Sequence, residues 1–254
     1  VNSVVVDSTV GRTSRVSLTP VDTNRFAIMW TDDPSTTEKF AIYFNNGTIN
    51  KSAVSVETSV PATATDNSIA AASGNSLMAC YIDSGEGDWD ALWYNFGGGN
   101  TVTEAQVDPT AAPDVNESNL GECVGINDTM FATLWFDDGT GGDSVSYAIY
   151  NNAGTAVTGL TDIDAASGTT AQAAVASLNQ TRFVMLLYDA ADQDITYAIR
   201  AINNTAILAA TDLTQTAGTA ARVAVSAVQE KGNDTDSAVL VYWTQSENKI
   251  NATV

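Results

Sequence analysis

The sequence predicts an all-β repeat protein, and three observations carry that prediction. An apolar stretch closing on an aromatic or leucine and then an acid returns five times. It reads FAIMWTD at 26–32, LMACYID at 77–83, FATLWFD at 131–137, FVMLLYD at 183–189 and, more loosely, VLVYWTQ at 239–245. Counted at Asp32, Asp83, Asp137, Asp189 and Gln245, the spacings are 51, 54, 52 and 56 residues, the period of a repeat built from short strands. Helix signals are absent: no long stretch places apolar residues at i, i+3, i+4 and i+7 between caps.

Each period divides into four strands separated by turn signals, and the third unit shows this best. A first strand is expected over 122–126, a turn at Asn127-Asp128-Thr129 and a second strand over 130–136. A glycine-rich loop, DDGTGGD, then leads to a third strand over 144–150, a turn from Asn151 to Gly154 and a fourth strand over 155–163. The first turn recurs at Asn24, Asn75, Asn127, Asn179 and Asn233. Second strands are apolar on both faces, as expected of strands lying between two packed sheets. First strands are rich in small residues, as in 69–72 (IAAA) and 173–176 (AAVA), which suits a crowded inner position.

Four-stranded units of this length, repeated radially, are the pattern of a β-propeller. The whole chain resembles five-bladed β-propellers, with four-stranded antiparallel blades expected at 15–66, 67–120, 121–172, 173–221 and 222–254 plus 1–14. Among these, the tachylectin-type lectins have repeats of similar length, but no sugar-binding motif of theirs is matched here and no residue carries over. The last unit stops at Val254 without a fourth strand. Residues 4–12, running into 15–18, resemble the end of the fourth unit running into the fifth. The N-terminal strand is therefore expected to complete the last blade, the closure called velcro, which removes two open edges. Pairing of the same strand with another molecule would instead give a strand-swapped chain or filament.

Charge narrows the function classes. Thirty acids stand against ten bases, a net charge of −20. No basic patch is available for phosphates, so nucleic acid is not an expected partner. No apolar run reaches membrane-spanning length. No signal segment opens the sequence, so a secreted protein would here be in its mature form. The chain has no histidine, which removes histidine bases, histidine triads and most zinc sites. Asn-x-Ser/Thr motifs at Asn46, Asn50, Asn116, Asn127, Asn179, Asn203, Asn233 and Asn251 point to an extracellular or cell-surface protein bearing N-linked glycans. Cys80 and Cys123 fall on neighbouring repeats; a disulfide and two buried thiols are both open.

The acids that follow each second strand gather on one rim, opposite most of the Asn-x-Ser/Thr motifs. Three readings compete. Asp137, Asp138, Asp143, Asp83 and Asp88, in DDGTGGD and DSGEGDWD, are candidate calcium ligands. Paired carboxylates would suit glycoside hydrolysis. Plain turn chemistry is the third, and it is favoured because the acids recur at equivalent positions whereas an active site breaks symmetry. Trp30, Trp135 and Trp243 share one repeat position and are expected in the core. Trp89 has no counterpart in other units and is the candidate contact residue. Glu122 is the clearest acid beginning a first strand, without an obvious partner. The expected function is a non-enzymatic structural or adhesive module, self-assembling in a surface layer or filament. A lectin-like carbohydrate binder and a carboxylate-dependent glycoside hydrolase are the alternatives.

Overall fold

The computed structural model describes residue 6 and residues 16–32, 37–56, 67–72, 76–83, 88–96, 101–107, 121–137, 144–164, 172–189, 193–214, 222–228, 237–244 and 249–254. All regular structure there is β. The first sheet holds β1 (Val16–Pro20), β2 (Arg25–Asp32), β3 (Thr37–Phe44) and β4 (Ile49–Ser55). The second holds β5 (Asn67–Ala72), β6 (Ser76–Asp83), β7 (Asp88–Asn95) and β8 (Thr101–Gln106). The third holds β9 (Glu122–Asn127), β10 (Met130–Asp137), β11 (Ser144–Asn151) and β12 (Ala156–Asp164). The fourth holds β13 (Gln172–Asn179), β14 (Arg182–Asp189), β15 (Asp194–Ala201) and β16 (Ala206–Thr214). The fifth holds β17 (Arg222–Val228), β18 (Ser237–Thr244) and β19 (Lys249–Thr253). Every sheet is an antiparallel meander in chain order, so consecutive strands are joined by hairpins.

The turns are built by side chains. Asn127 Oδ1 accepts the backbone N–H of Thr129 at 2.9 Å and Asn179 Oδ1 that of Thr181 at 2.8 Å. Asp22 fills this role in the first sheet, accepting from Asn24 N–H at 2.8 Å. The turn between third and fourth strands repeats the device with Asn46 and Thr48, and with Asn203 and Thr205. Its next residue is left-handed: Gly47, Gly154 and Asn204 have φ of 83°, 77° and 67°, which glycine and asparagine accept most readily. Short polar side chains that bond the backbone two residues on thus explain why Asn-x-Thr recurs at these hairpins.

Successive sheets pack face to face. Met29, Phe40, Ile42, Leu77, Tyr81 and Leu92 are among the residues filling the space between the first two sheets. Trp89, Trp93, Phe131, Trp135 and Tyr150 help fill the next. Similar clusters join the third sheet to the fourth and the fourth to the fifth. The second strands β6, β10 and β14 therefore bury both faces, which accounts for their unbroken apolar runs, whereas β18 is half-buried. The inner strands β1, β5, β9, β13 and β17 pack side by side in that order. Their closeness requires small residues: a Cβ on Gly125 would lie 1.9 Å from the carbonyl oxygen of Ala71 on the neighbouring inner strand.

The two end sheets differ. On the face of the first sheet turned away from the second, Trp30, Ala41 and Tyr43 cluster with Phe26, Ile28 and Val6, and among the described residues this cluster draws none from the fifth sheet. Val16 and Leu18 on β1 are 52% and 63% exposed.

Candidate functional site

The inner strands β1, β5 and β9 border an open cavity of about 430 Å³, lined by Ser17, Ser68, Glu122, Cys123 and the small residues Ala70 and Gly125 among others. Strand register identifies Ser17, Ser68 and Glu122 as equivalent positions, opposite Met29, Cys80 and Leu134 of their second strands. Ala174 and Val223 complete this row, opposite Leu186 and Tyr242. One carboxylate thus stands in a row otherwise made of serine, alanine and valine.

Two members of the row bridge neighbouring sheets in the same way. The N–H of Cys123 donates to Ser68 Oγ at 3.1 Å, and the N–H of Val175 donates to Glu122 Oε2 at 3.2 Å. Ser17 is the exception: its buried Oγ has no hydrogen-bond partner among the described residues. Buried polar atoms are seldom left in that state. Glu122 therefore has a partner, one strand away, that its own sequence neighbourhood did not reveal.

Trp89 is corrected. It is 1% exposed, and its Nε1–H donates to Thr133 Oγ1 of the third sheet at 2.8 Å. A Cβ on Gly121 would sit 2.1 Å from its ring, so glycine there makes room for the indole. The residue is core between two sheets and not a contact surface. It differs from its repeat equivalents because it replaces Glu38, which register places opposite Thr31 as Trp89 lies opposite Ile82. Glu38 is buried too and bridges its own second strand to the inner strand of the next sheet, accepting from Thr31 Oγ1 at 2.6 Å and from Asn67 Nδ2 at 3.1 Å. Trp30 and Trp135 are buried, as is Trp93, while Trp243 is half-buried.

Cys80 and Cys123 are both buried thiols. Burial pushes the Cys80 thiol well above its ordinary range, and the adjacent Cys123 thiol pushes it further. Of the proposed calcium ligands, Asp138 and Asp143 lie outside the described residues, as do the side chains of Asp83, Asp88 and Asp137. Asp83 and Asp88 are opposite each other at the ends of β6 and β7, and Asp189 and Asp194 take the same place in the fourth sheet. Among the described residues no group of three or more metal-ligating side chains occurs. Of the Asn-x-Ser/Thr motifs, Asn46, Asn50 and Asn203 are exposed and Asn251 is half-buried. Asn127 and Asn179 are also half-buried, and Asn127 Nδ2 donates to the carbonyl of Gln180 in the next sheet at 2.7 Å. Asn116 and Asn233 lie outside the described residues.

No protein-family model matches this chain, and no curated protein matches its sequence. Solved structures do resemble it. A Hadza microbial sialidase aligns with a TM-score of 0.54 at 10% identity, over 89% of this chain and 52% of the sialidase. A prolyl endopeptidase structure aligns with a TM-score of 0.50 at 10% identity, over 94% of this chain and 35% of the other. An α-L-arabinofuranosidase from Lactobacillus brevis aligns with a TM-score of 0.47 at 12% identity, over 91% of this chain and 83% of the other. The chain spans about half the length of the sialidase. At such identity the first two likenesses speak to the fold, an all-β architecture of the propeller type. The expectation of a non-enzyme is corrected to this extent: the sialidase and the prolyl endopeptidase that share the architecture are enzymes. Neither the lack of histidine nor the symmetry of the rim acids is grounds for excluding catalysis, because most glycoside hydrolases work with a pair of carboxylates.

Proposed function

We propose that this chain is a carbohydrate-active propeller of the glycoside-hydrolase type, taking a glycan at the cavity between its inner strands. The observation that carries the reading is the row Ser17, Ser68, Glu122. It places a single carboxylate among small side chains in the wall of a cavity large enough for a sugar. Glu122 is one carboxylate of the pair that most glycoside hydrolases use. The sialidase of like fold supports the substrate class by architecture only. The test is a panel of aryl glycosides, sialosides included, together with a glycan array. Turnover that falls at least ~100-fold in Glu122→Gln is the expected result. Binding without turnover would leave a lectin-like role, and neither binding nor turnover would sink the proposal.

We further infer that five sheets close into a ring, with residues 4–10 pairing along β19 as the fourth strand of the fifth sheet. The support is twofold: among the described residues the fifth sheet has three strands where the others have four, and Val6 packs on Trp30, Ala41 and Tyr43 of the first sheet. Because Val6 of the same chain reaches that face, closure within one molecule is favoured over exchange between copies. The exposed Asn46, Asn50 and Asn203 are the positions for sugars in an extracellular protein, and site-resolved mass spectrometry of the native protein would find them bare if that is wrong.

A further inference from the structure

Cys80 on β6 and Cys123 on β9 belong to different sheets, yet they occupy one quartet. Cys80 is opposite Ser68 in the second sheet, and Cys123 is opposite Thr133 in the third. The hydrogen bonds cross between the sheets: Cys80 Sγ–H donates to Thr133 Oγ1 at 3.6 Å, and Cys123 Sγ lies 3.6 Å from Ser68 Oγ. The two thiols are neighbours, and the Cys123 thiol is among the groups that raise that of Cys80. Cys123 also lines the inner cavity and keeps 9% of its surface exposed, whereas Cys80 is fully buried. One thiol is thus nearer the cavity, and the second is its neighbour.

We propose that this pair is a redox-convertible staple between the second and third sheets, closed by exchange with a small-molecule disulfide that enters through the cavity. Cys123 attacks the small disulfide, forming a mixed disulfide and releasing one small thiol. Cys80 then attacks the Cys123 sulfur, forming the Cys80–Cys123 bond and releasing the second small thiol. The two protein thiols are oxidised, the small disulfide is reduced to two thiols, and the protein's two protons leave on them. Proximity drives the second step, since both sulfurs belong to one Cys–Ser–Thr quartet. Burial keeps Cys80 protonated, so the second step is the slow one and quickens as pH rises.

The experiment incubates the fully reduced native protein with glutathione disulfide. Free thiols are then counted after denaturation, and the intact mass is measured. Loss of both thiols together is expected, with a mass lower by two hydrogens and a cross-linked peptide pair holding residues 80 and 123. The melting midpoint should rise by roughly 5–10 °C and fall back on adding reductant. Cys80→Ser should stop at a glutathione adduct on Cys123. Persistence of both thiols over prolonged exposure at pH 9, or a wild-type product that remains the glutathione adduct, would overturn the staple.

Discussion

The junction between the second and third sheets and the outer face of the first sheet are built from the same repeat, yet they are finished differently. At the former, Trp89 reaches Thr133, Cys123 N–H reaches Ser68, and Gly125 lets β9 approach the Ala71 carbonyl. At the latter, Val16 and Leu18 are exposed, and the apolar face of the first sheet is met by Val6. The repeat supplies every sheet with two apolar faces. Only an interior junction has a covalently ordered neighbour to match each face; the ends depend on a segment from outside the repeat.

The largest blow to the interior junction is Gly125→Val. The added side chain meets backbone, which cannot swing aside, so a loss of about 4 kcal/mol or more is expected in urea titration. Next is a paired test. Trp89→Ala should cost about 3–5 kcal/mol, through the cavity and the lost bond to Thr133, whereas Trp243→Ala at the end sheet should cost less than about 2 kcal/mol. Equal losses would mean that the end junction is as tightly packed as the interior one. Deleting residues 1–15 uncovers Trp30 and should lower stability by roughly 1–3 kcal/mol, with a red shift in tryptophan fluorescence. An unchanged spectrum would remove Val6 from the junction. Leu18→Ser should lie within about 0.5 kcal/mol of the parent, and a larger loss would show that β1 is covered in solution.

The smallest effect lies in the first turn of the end sheet. The Arg25 side chain, bonded at 2.7 Å from Nε, holds the Asp22 carboxyl below its ordinary value, helped by the Asn24 N–H. A depressed folded-state value contributes stability above the unfolded value and loses it as pH falls through the folded one. The contribution is therefore present at neutral pH and disappears in the acid range below about 4. Arg25→Ala should move the Asp22 titration upward in carbonyl NMR, leaving the neutral-pH fold intact.

Much of the fold was legible in the sequence. The expected strands of the third unit, 122–126, 130–136, 144–150 and 155–163, lie within a residue or so of β9 to β12. The turn residues were legible for the same local reason: Asn127 and Asn179 bond the backbone two positions away. The site was less legible. Glu122 stood out as an acid on a first strand, but its link to Val175 crosses to another sheet. Trp89 looked like a surface residue because its loop is acidic and unmatched, and nothing within that loop announces Thr133, 44 residues away.

The sequence by itself determined what depends on near neighbours: the five-fold recurrence, the order of strands, the hairpin turns and the apolar faces of the second strands. Alternation along a strand decides which face a side chain takes, and short polar residues decide where the chain turns. Only the tertiary structure decided which side chain that face would meet. The Cys80–Cys123 contact, the burial of Trp89 and the bridge from Glu122 all depend on the stagger between adjacent sheets, which close packing between residues about one repeat apart sets and no local pattern records.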